Sequence, residues 1–163
     1  RIALVSDSGT PLISDPGFPL VRAARETAVP IYSIPGACAA VAALSISGLE
    51  PDAFFFGGFL PLKPGKRRKT LEGYLALKAT VILYESPHKI QSMLKLLAEL
   101  APERRIVVLR ELTKLYEECL SGSSVELSER INCVTPRGEF VVLIQRAPER
   151  SFDNVVASLD FKR

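Results

Sequence analysis

The chain has 163 residues, 47% hydrophobic and 24% charged, with 21 basic and 18 acidic side chains for a net charge of +3. That content buries the core of one domain or a little more and excludes global disorder, while the mild charge permits an anionic partner without requiring one. Cys38, Cys119 and Cys133 lie far apart and His88 is the only histidine, which excludes a disulfide framework and a zinc site and points to a reducing, cytoplasmic compartment.

Ile2-Ala-Leu-Val5 reads as a short buried strand. Arg1 enters it with no lead-in, as expected if an N-terminal portion is missing. Ser6 to Pro19 forms a long loop. Gly9 and Gly17 permit tight or positive-φ backbone, and Pro11, Pro16 and Pro19 restrict the loop to few shapes. A loop of this kind at a strand's carboxyl end is where α/β sheets bind ligands. It offers Thr10, Ser14, Asp15 and backbone N–H groups, but neither the lysine of a phosphate-binding P-loop nor the G-x-G-x-x-G dinucleotide pattern.

Leu20 to Glu26 reads as an amphipathic helix, and Val29 to Ile34 as an edge strand or strand start because Pro30 interrupts it. Pro35-Gly36 then starts a helix of small apolar residues, Ala37 to Ser47, with Gly48 at its end. No Ser, Thr, Asp or Asn caps its start, so its first N–H groups are open to a ligand or water. Phe54 to Pro61 reads as a strand ending in Gly57-Gly58, its aromatics more in keeping with core than with stacking. Lys63-Pro-Gly-Lys-Arg-Arg-Lys69 places five basic residues in seven, read as a loop between two lobes. A solvated face and a phosphate-binding patch both fit it.

The second half alternates strand and helix. Thr80–Tyr84, Arg105–Leu109 and Gly138–Ile144 read as strands, Ile90–Leu100 as a helix with one apolar face, and Ser123–Ile131 as a short helix. The expected organisation is 1–61 as the remainder of an N-terminal α/β lobe, 62–146 as a C-terminal α/β lobe, and 147–163 as a loosely ordered tail. Polar residues follow strand ends at Glu85/Ser86/His88 and Arg110/Glu111/Lys114. Parallel strands would gather these, the opening loop and Pro35-Gly36 on one rim. Familiar hydrolase arrangements fit poorly, since Ser86 lacks a nucleophile elbow and stands two residues from His88. Glu85, Glu111 and Glu117 suit acid–base groups or salt-bridge partners equally well.

Six segments in order carry a resemblance: Leu4 to Val21, Pro35 to Leu44, Phe56-Gly-Gly-Phe-Leu-Pro61, Tyr84-Glu-Ser-Pro-His-Lys89, Arg110-Glu-Leu-Thr-Lys114 and Gly138-Glu-Phe-Val141. Over residues 1 to about 146 the chain resembles the ribosomal RNA small-subunit methyltransferase I family of the tetrapyrrole methylase superfamily. The resemblance implies a tetrapyrrole-methylase-like α/β fold of two lobes with a cofactor cleft between them. It also implies 2′-O-methylation of a cytidine in 16S rRNA, near the decoding centre, from S-adenosylmethionine. Gly9, Thr10, Pro11 and Ile13 match the loop beside the cofactor, Pro35, Gly36, Cys38 and Ala39 the adjoining turn and helix start, and Tyr84-Glu85-Ser86 the strand end facing the cofactor.

Within that expectation Glu85 and Glu111 are the candidate bases, and Lys63, Lys66, Arg67, Arg68 and Lys69 the contacts to RNA phosphates. The expected partners are 16S rRNA in the small ribosomal subunit and, at full length, a second copy in a homodimer, with no membrane. Departures include Ser8 for the family's alanine, Ala37 for a frequent proline, Lys89 for the usual arginine, and the absence of an initial strand and loop. Two alternatives stand: a methyltransferase for small tetrapyrrole-type molecules, or an inactive fragment that binds RNA or a partner.

Overall fold

A computed structural model describes residues 2–131 and 137–148. Its centre is a five-stranded sheet in the order β1 (Phe54–Phe59), β2 (Thr80–Glu85), β5 (Phe140–Ile144), β3 (Arg105–Arg110) and β4 (Glu118–Ser123). The sheet is mixed rather than all-parallel. β1 and β2 pair in parallel, whereas β5 runs antiparallel to both β2 and β3, and β4 antiparallel to β3. Strands β1, β2 and β3 therefore share one direction, and the start of β5 reaches the rim where they end. β1 and β2 pair across the expected 61/62 lobe boundary.

The three inner strands are apolar on both faces, as a sheet covered on both sides requires. One face packs against α3 (Pro64–Leu75), α4 (Ile90–Leu100) and α5 (Ser124–Arg130). There Leu71, Ile90, Met93, Leu94, Leu97 and Leu127 meet Leu83, Ile106, Val108, Val142 and Ile144. Helix α4 buries Ile90, Met93, Leu94 and Leu97, the spacing of a single helical stripe. Helix α5 begins with a capping box: Ser123 accepts from the Glu126 N–H, and Glu126 accepts from the Ser123 N–H, a device worth roughly 1 kcal/mol. The other face holds α2 (Ala39–Ser47), whose Ala40, Ala43 and Leu44 lie on Ile82, Val107, Val141 and Leu143. Small side chains let α2 come close to the sheet, and Gly48 ends it in left-handed conformation.

Three expectations are corrected. Residues 2–5 and 29–34 form no strand, and Ile2, Val5, Tyr32 and Ile34 stand over 80% exposed. The basic run is not a loop, because Pro64 occupies a first-turn position where its missing N–H costs nothing, so Lys66 to Lys69 lie on α3. The polar segment after Leu115 contributes the edge strand β4, which the sequence reading missed. The expected tail lies almost wholly outside the described residues, as does Cys133.

Candidate functional site

The rim that ends β2 and β3 carries Glu85 and Arg110 abreast of Phe140 at the start of β5, all three in one register row. Over it folds the Ser6–Pro19 loop, before α1 (Phe18–Glu26). Ser6 Oγ donates to the Gly9 carbonyl at 2.8 Å, and Thr10 Oγ1 donates to the Ala37 carbonyl at 2.9 Å, pinning the loop to the approach of α2. Gly9 sits at φ +77°, with Leu12 and Ser14 also at positive φ, a shape that disfavours side chains with branched Cβ. Between loop, α2 and sheet rim lies a cleft of ≈ 370 Å³, within the range of small-ligand sites.

Tyr84 forms the floor where α2 meets the sheet. Its hydroxyl accepts the Ala40 N–H at 3.1 Å, supplying the cap that Cys38 does not. One of the N–H groups expected to be open is thus satisfied within the chain. Burial, followed by the neighbouring Cys38, pushes the Tyr84 phenol above its ordinary value of 10.0, so it stays protonated at neutral pH. Its ring meets the edges of Phe56 at 4.9 Å and Phe59 at 5.8 Å.

Of the residues expected to surround a cofactor, the cleft is lined by Gly9, Thr10, Ile13, Cys38, Ala39 and Tyr84. Pro11, Pro35 and Gly36 are outside the lining; Pro35 and Gly36 stand just before the anchor at Ala37. Ser86, expected on the rim, also lines it, whereas the sequence reading missed Phe59, Glu139 and Phe140 as lining residues. Gly138-Glu-Phe-Val had stood out as a motif, but only an antiparallel β5 brings its beginning to this rim.

Two carboxylates and one cation differ from expectation. Glu85 lines the cleft but is 4% exposed, with Oε2 paired to Arg67 and Oε1 accepting the Ser86 N–H at 2.8 Å. A buried carboxylate held by a guanidinium and an amide is an anchor for the strand end, not a free base. Glu111 is off the cleft. Its Oε1 accepts from Lys114 Nζ at 3.0 Å and from the Glu139 N–H at 2.9 Å, and these bonds hold its carboxyl below the ordinary 4.5. Arg67, expected on RNA phosphates, is 8% exposed and committed to Glu85. Its neighbours face outward: Arg68 pairs with Glu72 and Glu99, whereas Lys63, Lys66 and Lys69 are exposed without an ion pair among the described residues.

The family model for tetrapyrrole (corrin/porphyrin) methylases matches residues 1–128. A ribosomal RNA small subunit methyltransferase I of Xylella fastidiosa (strain Temecula1) is 47% identical over 152 residues, which cover 91% of this chain and 56% of that protein. The chain spans about half the length of such relatives, 52% of the Mesorhizobium japonicum protein of the same name. Among solved structures, the methyltransferase CobJ aligns with a TM-score of 0.62 at 22% identity, covering 89% of this chain and 64% of that one. Uroporphyrin-III C-methyl transferase from Thermus thermophilus, complexed with S-adenyl homocysteine, aligns at 0.55 and 18% identity over 84% and 62% of the two chains. At such identities the structural matches speak for the fold.

Proposed function

Because this chain belongs to the tetrapyrrole (corrin/porphyrin) methylase family, we propose that its protein methylates small-subunit ribosomal RNA using S-adenosylmethionine. The finer reading is transfer to the 2′-hydroxyl of a cytidine in 16S rRNA. The observation that carries the proposal is the 47% identity over 152 residues to a ribosomal RNA small subunit methyltransferase I. Close sequence likeness outweighs the fold-level likeness to tetrapyrrole enzymes, since one fold hosts many substrates.

The cleft fits the cofactor by size, by its small-residue walls at Gly9 and Ala39, and by charge. Of its carboxylates, Glu85 is neutralised by Arg67 and Glu139 by Lys114, while Asp15 has no ion pair among the described residues. A net negative wall suits a cationic sulfonium. Bound there, S-adenosylmethionine would supply an electrophilic methyl group, its S–CH3 bond breaking as a hydroxyl oxygen attacks the carbon in line and S-adenosylhomocysteine leaves. Positioning gives such a displacement much of its acceleration. The Thr10–Ala37 contact fixes the loop, and the Arg67–Glu85–Ser86 chain fixes the opposing strand end. With Glu85 and Glu111 both engaged, Asp15 is the carboxylate left to receive the hydroxyl proton, directly or through a water.

The test is transfer of labelled methyl from S-adenosylmethionine, by protein made from its whole reading frame, to small ribosomal subunits and separately to uroporphyrinogen III. Label in 16S rRNA that maps to a ribose is the expected result. Label in the tetrapyrrole alone would replace this reading with the small-molecule one.

A further inference from the structure

Strand β1 is irregular where regularity would have hidden its last aromatic ring. Its register runs Phe56 opposite Ile82, then Gly58 opposite Leu83 and Phe59 opposite Tyr84, so Gly57 is an extra, unpaired residue. Side chains alternate faces along a strand. Without the bulge Phe59 would fall on the face opposite Phe56; with it, both rings lie on the α2 side and meet Tyr84. The bulge needs glycine. A Cβ on Gly57 would stand 2.7 Å from Leu83 and 2.9 Å from Tyr74, and Gly58 is at φ +60°. Bulges of this kind re-aim side chains beside functional sites.

The re-aimed ring is at the cleft mouth and 58% exposed, although Leu60 next to it is 4% exposed. An apolar ring turned into a ligand cleft and left uncovered gains nothing for the core. Four residues on, the connection to α3 reaches Lys63, and Lys66 and Lys69 follow on the helix; all three are exposed and form no ion pair among the described residues. An aromatic face followed by free cations is the pairing by which proteins hold unstacked nucleotides: the ring takes the base and the cations take the phosphates.

We propose that Phe59 is the stacking platform for the nucleobase of the target nucleotide, turned there by the Gly57-Gly58 bulge. This rests on the rRNA methylation reading and adds to it a base-holding residue. A base held on Phe59 places its own ribose at the cleft, while the cations past β1 offer contacts to phosphates further along the strand.

The test compares Phe59→Ala, Phe59→Leu and Phe59→Trp for binding of small ribosomal subunits, methyl transfer and S-adenosylmethionine affinity by calorimetry. Phe59 is exposed, so all three variants should melt close to wild type. Loss of one base stack predicts that Phe59→Ala weakens subunit binding roughly 5- to 150-fold. Phe59→Leu should keep most of that loss, Phe59→Trp should restore binding, and cofactor affinity should hold in all three. A leucine variant equal to wild type overturns the stacking role and leaves methyl transfer standing. Loss of cofactor affinity in Phe59→Ala also overturns it, assigning the ring to the cofactor. Wild-type protein that methylates no subunit overturns both readings.

Discussion

At the scale of single residues, the acidic groups near the rim divide into structural and available ones by the company they keep. Glu111 adopts φ 51°, unusual for a residue with a side chain, and its backbone N–H donates to the Glu139 carbonyl while its carboxylate receives the Glu139 N–H. It braces the start of β5 against the end of β3. The folded-state pKa is depressed, so the brace contributes stability above the ordinary carboxyl pKa of 4.5 and loses it as pH falls through the lowered value. Glu111→Gln should therefore melt below wild type at pH 7, with the difference shrinking as pH falls below 4.5. Melting curves at stepped pH check this; a gap that persists undiminished down to the lowest pH at which the protein folds would assign the effect to shape instead of charge. Glu85 and Glu111 were attractive bases in the sequence because both follow apolar strands. Lys114 is a local partner of Glu111, but Arg67 at 18 residues' remove from Glu85 and Glu139 at 28 from Glu111 are set by tertiary placement that no local pattern encodes.

At the scale of elements, α3 puts one basic run to two uses. Helical spacing turns Arg67 inward to Glu85 and leaves Lys66 and Lys69 on the outer face. Replacing Lys66 and Lys69 with Gln should flatten the log–log salt dependence of subunit binding by about 0.7–0.9 per lost phosphate contact. Cofactor affinity should stay put. Binding measured at several salt concentrations decides it, and parallel slopes would make the lysines a solvated face. Legibility followed periodicity. Helices α2 and α4 and strands β2, β3 and β5 declare themselves by apolar runs or a 3.6-residue stripe. Pro64-Gly65 disguised the first turn of α3 as loop, and β4 is a polar edge strand with only one side paired. The apolar runs at 2–5 and 29–34 look like strands, but neither pairs with the five-stranded sheet. The bulge in β1 was invisible, since Gly57-Gly58 reads equally well as a loop.

At the scale of the whole molecule, the last of the described strands in sequence is the middle one in space. β5 separates β2 from β3, and its five residues are all buried. Without β5 the sheet divides into a parallel β1–β2 pair and a β3–β4 hairpin, whose inner edges β5 would otherwise pair. Synthesis delivers the chain from its N-terminus, so the two half-sheets emerge from the ribosome first and must wait for their keystone. Closing a sheet late, through pairs 30 to 63 residues apart in sequence, slows folding. In the interval the exposed edges invite pairing with other chains. A fragment ending at Arg137 should aggregate when expressed, while a peptide spanning residues 138–148, supplied during refolding, should raise its soluble yield. Soluble yield with that peptide against a scrambled control measures the effect. A fragment that stays monomeric without it would mean that the half-sheets protect themselves.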